Sequence, residues 1–260
     1  MREKKETKDF TKKNKAKKKL SKISIHHYIK LALRSTIFVT VLVFYILEKT
    51  ELLKQNFVLP MIVWSYFMVG MVARFFPSKL ESMGCQKQFK RNYEPIEGEK
   101  IPVNQSWKET ALVAAAWFAL NAVIGGLYFL GIIDRGILII IALAYSICDI
   151  ICILFFCPFQ TWFMKNRCCT TCRIYNWDFA MMFTPLVFIP HWYTYSLLGC
   201  SLLLLLRWEL VYRCHPEWFS TATNKCLDCS RCEEKLCSHK TQLQGFLKKY
   251  RTKFFPTRHS

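Results

Sequence analysis

Apolar residues in this chain gather into near-continuous runs, and the charged residues are pushed into the gaps between them. A soluble domain of 260 residues would instead spread its apolar positions at helical or strand period. Runs near twenty residues match the length an α-helix needs to cross a hydrocarbon core ~30 Å thick. The pattern predicts an all-α, polytopic membrane protein with six spans, at about 31–47, 57–76, 110–133, 137–157, 179–189 and 193–212.

Local chemistry refines these spans. Arg34 is close enough to one end of the first to snorkel. Pro60 falls in the first turn of the second, where a missing N–H costs least. Small residues (Ala111, Ala114, Ala115, Ala119, Ala122) mark the third as a helix that lets a neighbour approach closely. Pro185 and Pro190 interrupt the region of the fifth, whose eleven residues reach only about 17 Å at ~1.5 Å each. It is either a re-entrant segment or a crossing that borrows residues from the preceding loop. The long 77–109 loop is broken by Pro77, Pro95, Gly98 and Pro102 and has room for one short helix near 78–92.

Charge sets the orientation. The net charge is +19, and residues 1–30 alone hold twelve Lys or Arg against three acids. The 77–109 loop, the loop carrying Lys165, Arg167 and Arg173, and the tail after 212 are also rich in Lys and Arg, whereas loops 48–56 and 134–136 are short and balanced. An even number of spans puts every basic segment in the cytoplasm, as the positive-inside rule requires. The expected organisation is a disordered basic arm over 1–30, a bundle over 31–212 and a basic tail over 213–260, in the cell (inner) membrane with both termini cytoplasmic. The first apolar run starts too far along the chain for a removable signal peptide. The Lys block reads as a topology signal and a contact for the anionic inner leaflet, with no nucleic acid expected. Residues 244–255 mix aromatic and basic side chains as an amphipathic surface helix does.

The thirteen cysteines carry the candidate chemistry. Cys157, Cys168, Cys169 and Cys172 fall in the loop 157–178, and Cys226, Cys229, Cys232 and Cys237 in the tail, with Cys214 at the foot of the last span. Cytoplasmic thiols are kept reduced, so soft thiolates at two- and four-residue gaps suit a metal better than a disulfide framework. The tail reads C-x2-C-x2-C-x4-C. Over a dozen residues it resembles the cysteine run of bacterial ferredoxins, although the last gap is four rather than three and no Pro follows. That resemblance implies a [4Fe–4S] cluster held by the tail cysteines, with a further thiolate supplied from elsewhere. Zinc explains the same residues by joining Cys169 and Cys172 to Cys229 and Cys232 in a tetrahedral site that clamps loop to tail, with His215 or His239 in reserve. Cys157 and Cys214 also sit where membrane proteins are lipidated, and Cys169-x2-Cys172 has the spacing of a thiol–disulfide exchange pair. Cys148 and Cys152, four residues apart in the fourth span, read as small hydrophobes on one helix face.

The function expected from these residues is that of a membrane-anchored iron–sulfur protein passing electrons between a cytoplasmic protein partner and a membrane partner or quinone. The alternatives are a zinc-stabilised assembly protein without redox activity and a small transporter. Asp149 and Arg207 lie at similar depth in the fourth and sixth spans and are expected to pair, because a lone charge there costs ~2.5–3.5 kcal/mol. The chain has no phosphate loop, no G-x-G-x-x-G and no HExxH. His191 lies near a span end with no second span histidine, which excludes a bis-His haem within the bundle.

Overall fold

The computed structural model describes residues 21–47, 58–98, 107–164 and 168–232, together with Pro102 and Glu234. The arm before Ser21, Cys237, His239 and the stretch 244–255 lie outside the described residues. Within them the chain is helical, with one isolated β-bridge between Pro95 and Asn224. Four helices are long and apolar enough to cross a membrane: α1 (Lys22–Ile46), α3 (Trp107–Phe129), α4 (Arg135–Leu154) and α6 (Trp192–Cys214). Between them come α2 (Val58–Ala73), apolar but shorter, and α5 (Asp178–Phe183), which continues as the 3-10 turn Thr184–Phe188.

The helix ends follow from local chemistry. The Ser21 hydroxyl caps α1 by accepting the Ser24 N–H at 3.1 Å. Ser21 and Ser24 both donate to the carbonyl of Glu234, far along the chain, at 3.1 and 3.0 Å. Residues 22–30 are therefore helix rather than arm, and α1 is longer than its apolar run. Asp134 caps α4 by accepting the Ile137 N–H at 2.8 Å. Gly131, with φ +73°, makes the left-handed turn that closes α3. Among its described residues before α3, the 77–109 loop contains less helix than its sequence suggests: one turn at Met83–Gln86 and a 3-10 turn at Lys90–Asn92.

α1 lies antiparallel along α4. At one end Tyr45 donates to Asp134 at 3.3 Å, and a side chain at Gly136 would collide with the Tyr45 ring. At the other, Tyr28 and Leu31 pack on Ile150 and Leu154. α2 lies against α6, where Trp64 donates to Ser196 at 2.9 Å and meets Trp192 edge-on.

The fifth segment occupies the middle. Phe179, Met182, Phe183 and Leu186 are buried among Phe67 and Met71 of α2, Ile124 of α3, Leu138 and Leu143 of α4 and Leu204 of α6. It starts beside Arg74, just past the end of α2, and finishes at Phe188, which packs on Tyr128 and Phe129 at the end of α3. Six α-helical and five 3-10 residues advance roughly 20 Å. Wrapped by its neighbours, the segment presents little surface outside the bundle.

Candidate functional site: a thiol-lined cavity

α4 ends at Leu154, and Cys157-Pro158 leads into a π-helical turn, Phe159–Phe163, in which the Met164 N–H reaches the Phe159 carbonyl at 2.9 Å. Turns of this wide kind recur at functional sites. Between α3, α4 and the returning cysteine loop lies a cavity of about 130 Å³. Cys148 and Cys152 of α4 line it, together with Cys157, Cys169 and Cys172 of the loop. Trp117, Tyr145 and Phe159 form an aromatic wall, with ring centroids 4.6 and 6.3 Å from that of Trp117. Cys148 both lines the cavity and is exposed, so the mouth opens beside the outward face of α4.

A string of hydrogen bonds runs along this wall. The thiols of Cys152 and Cys157 bond to each other. The Gln160 N–H donates to Cys157 Sγ at 3.4 Å, and the Cys169 thiol donates to Gln160 Oε1 at 2.9 Å. Cys172 is buried, and burial pushes its thiol up to about 12 against the pull of the nearby Lys87 ammonium. It is protonated at neutral pH and packs in an apolar cluster with Val113, Met164 and Ile174.

Lys87 holds this loop in place. Its ammonium donates to the carbonyls of Thr170 at 2.8 Å and Cys172 at 3.1 Å, and lies 5.4 and 5.2 Å from the rings of Trp208 and Phe219. Burial pushes it down to about 8, a shift that the thiols of Cys172, Cys168 and Cys85 oppose.

The described tail cysteines, Cys226, Cys229 and Cys232, lie elsewhere. Cys226 bonds to Glu94, and burial together with that carboxylate raises its thiol. Cys229 is exposed, and its carbonyl accepts the Cys232 N–H at 3.3 Å. The tail is docked by other groups. Lys225 N–H donates to the Glu94 carbonyl at 2.8 Å, and Arg231 pairs with the Glu94 carboxylate at 2.8 Å. The Glu234 carboxylate accepts the Ser82 hydroxyl at 2.9 Å and the Met83 N–H. Of the predicted ligands, Cys157, Cys169 and Cys172 share the cavity, Cys168 bonds to Thr170 at 2.9 Å, and Cys214 is exposed at the end of α6. Among the described residues, no three His, Cys, Asp or Glu side chains converge as metal ligands do.

The expected Asp149–Arg207 pair does not form. Arg34 donates instead to Asp149 at 2.8 Å and to the Ser146 carbonyl at 2.7 Å. Arg207 donates to the Phe75 carbonyl at 2.6 Å, just past the end of α2, and stacks near Phe75 and Phe89. Equal depth fixes height but not which way each helix faces: α4 faces α1, and α6 faces α2. Arg34 therefore turns inward rather than snorkelling. A second ion pair joins Arg74 to Asp178 Oδ1 at 2.7 Å. The other oxygen, Asp178 Oδ2, is buried without a hydrogen-bond partner, and Asp178 lines the thiol cavity.

Cys152 was within reach of sequence reasoning: it lies one turn after Cys148 and five residues before Cys157. Gln160, Lys87 and Glu234 gave no such signal, because their roles depend on where the loops fold back. No family model, curated protein or solved structure matches the chain.

Proposed function

We propose that this chain is a six-pass membrane redox protein whose electron-carrying groups are thiols of α4 and the cysteine loop. Both termini and both cysteine runs would be cytoplasmic, by the charge of the loops, with α2 and the buried fifth segment completing the six crossings. The observation that carries the redox reading is the gathering of five free cysteines around one cavity, with the thiols of Cys152 and Cys157 in hydrogen-bond contact. Such a pair exchanges two electrons by closing and opening a disulfide.

The iron–sulfur form of this reading remains a second proposal and draws on the same wall. Cys152, Cys157, Cys169 and Cys172 supply four side chains of the type that ligates [4Fe–4S] or zinc, though they do not converge on one point. Loading a cluster there would require the four side chains to turn toward one point, whereas Cys152 and Cys157 are already in contact. The zinc assembly reading has less support, since Glu94, Arg231 and Glu234 already fasten the tail. The transporter reading rests on intramembrane charges, and Asp149 has its cation in Arg34.

The experiment is anaerobic purification followed by metal and acid-labile sulfide analysis, with free thiols counted before and after mild oxidation. The expected result is two thiols lost and regained reversibly, without stoichiometric metal. Iron and sulfide with broad visible absorption would establish the cluster instead. Stoichiometric zinc with inert thiols would establish the assembly reading.

A further inference from the structure

We infer that the thiol-lined cavity receives the ring of a membrane quinone and that Cys152 and Cys157 are the dithiol that reduces it. This rests on the redox reading above and names its substrate class. Four features of the cavity point to that occupant.

The first is size. At about 130 Å³ the cavity is close to the ~150 Å³ of an engineered apolar cavity that binds benzene, so it suits one six-membered ring with small substituents. The second is the wall: Trp117, Tyr145 and Phe159 offer aromatic faces, with Met181 and Met182 nearby. The third is access. Cys148 brings the mouth to the outward face of a helix apolar enough to cross a membrane, with Phe156 and Trp162 exposed just beyond its end. A ligand that partitions into lipid reaches this mouth from the side. The fourth is the orphaned acceptor. The Asp178 side chain is only 6% exposed, and its Oδ2 lacks a partner. A quinol hydroxyl is the kind of donor that such an oxygen accepts, and Asp178 lines the cavity.

The reaction balances within these partners. The S–H bonds of Cys152 and Cys157 break and one S–S bond forms, releasing two electrons and two protons. The quinone takes up both and gains two O–H bonds, becoming the quinol. Two equivalents of a soluble thiol then reopen the disulfide by exchange.

The test uses the full-length reduced protein in nanodiscs, anaerobically, with ubiquinone-1, whose fully substituted ring resists addition of a thiol. The expected result is about one quinol per protein, loss of two thiols and a Cys152–Cys157 disulfide found by peptide mapping. Cys152→Ser and Cys157→Ser should each lower quinol formation by about tenfold or more, and Cys200→Ser should leave it unchanged. Should the serine variants fail to fold, the wild type still decides. Ubiquinol-1, which cannot oxidise a dithiol, should slow alkylation of Cys152 and Cys157 by N-ethylmaleimide by about fivefold at saturation. Absence of protection overturns the inference, as does a disulfide formed elsewhere. Oxidation by glutathione disulfide but not by ubiquinone-1 overturns the quinone while leaving the redox reading intact. Thiols inert to both overturn the two together.

Discussion

Arg34 and Asp149 form an ion pair between α1 and α4, and the same guanidinium nitrogen also donates to the Ser146 carbonyl one helical turn before Asp149. The arginine side chain is 3% exposed and the aspartate 13%, so the pair belongs to the bundle interior. Breaking such a pair leaves an uncompensated buried charge, which costs ~3–5 kcal/mol. Arg34→Gln and Asp149→Asn should each destabilise on that scale, with the double variant well short of the sum. Arg207→Gln should add independently to Asp149→Asn. Denaturant unfolding in micelles measures both cycles, and additivity between 34 and 149 would remove the pair.

Gly125 and Phe188 make a second close relationship. A Cβ at Gly125 would enter the Phe188 ring, whereas at the adjacent Gly126 it meets nothing within 4 Å. Gly125→Ala should therefore cost about 1–3 kcal/mol through overpacking, while Gly126→Ala is neutral or stabilising. Adding Phe188→Leu should recover part of the loss in a thermal melt. Equal effects at 125 and 126 would show that the fifth segment does not pack there.

Lys87→Met keeps the length of the side chain but leaves the Thr170 carbonyl without its donor and the Cys172 carbonyl with only the Tyr175 N–H at 3.4 Å. An unsatisfied buried group costs about 1–3 kcal/mol. The cysteine loop should loosen, and Cys172 should be alkylated faster at neutral pH while Cys200 is unaffected. Unchanged labelling of Cys172 would mean that the loop holds without the lysine.

Two carboxylates give the tail and its platform opposite pH responses. Burial raises Glu234 from 4.5 to about 6, so its contribution is complete below pH 4.5 and lost as pH rises through 6. Burial alone would raise Glu81 too, but Arg74 and Lys30 overcome it and hold it at about 2. Its contribution is present above pH 4.5 and lost as pH falls toward 2. Hydrogen exchange near Met83, corrected for the intrinsic rate, should show greatest protection near pH 4.5, falling off toward pH 2 on one side and toward pH 6 on the other. Glu234→Gln should flatten the upper side of that maximum and leave the lower side in place.

The apolar runs made the long helices legible, since length and hydropathy suffice to place them. Their ends were less so: α1 begins at Lys22 because the Ser21 hydroxyl caps its first turn, and the distant Glu234 carbonyl holds the hydroxyls of Ser21 and Ser24 in place. The loop cysteines were recognised as chemistry, but partnership with the tail was inferred from spacing. In the structure the nearer partner of Cys157 is Cys152, which hydropathy had assigned to packing. The pairing of the charges was wrong in azimuth, because a single sequence does not say which helices lie side by side. Arg34 illustrates the point: its position near a span end suggested an exit to water, and its neighbours turn it inward.

The buried course of the fifth segment bears on how the protein is made. Phe179, Met182, Phe183 and Leu186 find their apolar surroundings in other helices of the same chain. Eleven residues bracketed by Asp178 and Pro190 have too little length to settle in lipid unaided. During synthesis the segment emerges after α1 to α4 and before α6, so the earlier helices can stand ready as a half-built cradle. Its place in the bundle is thus set by assembly rather than by its own partitioning, and the cavity that its first residues help to line is completed only at that step.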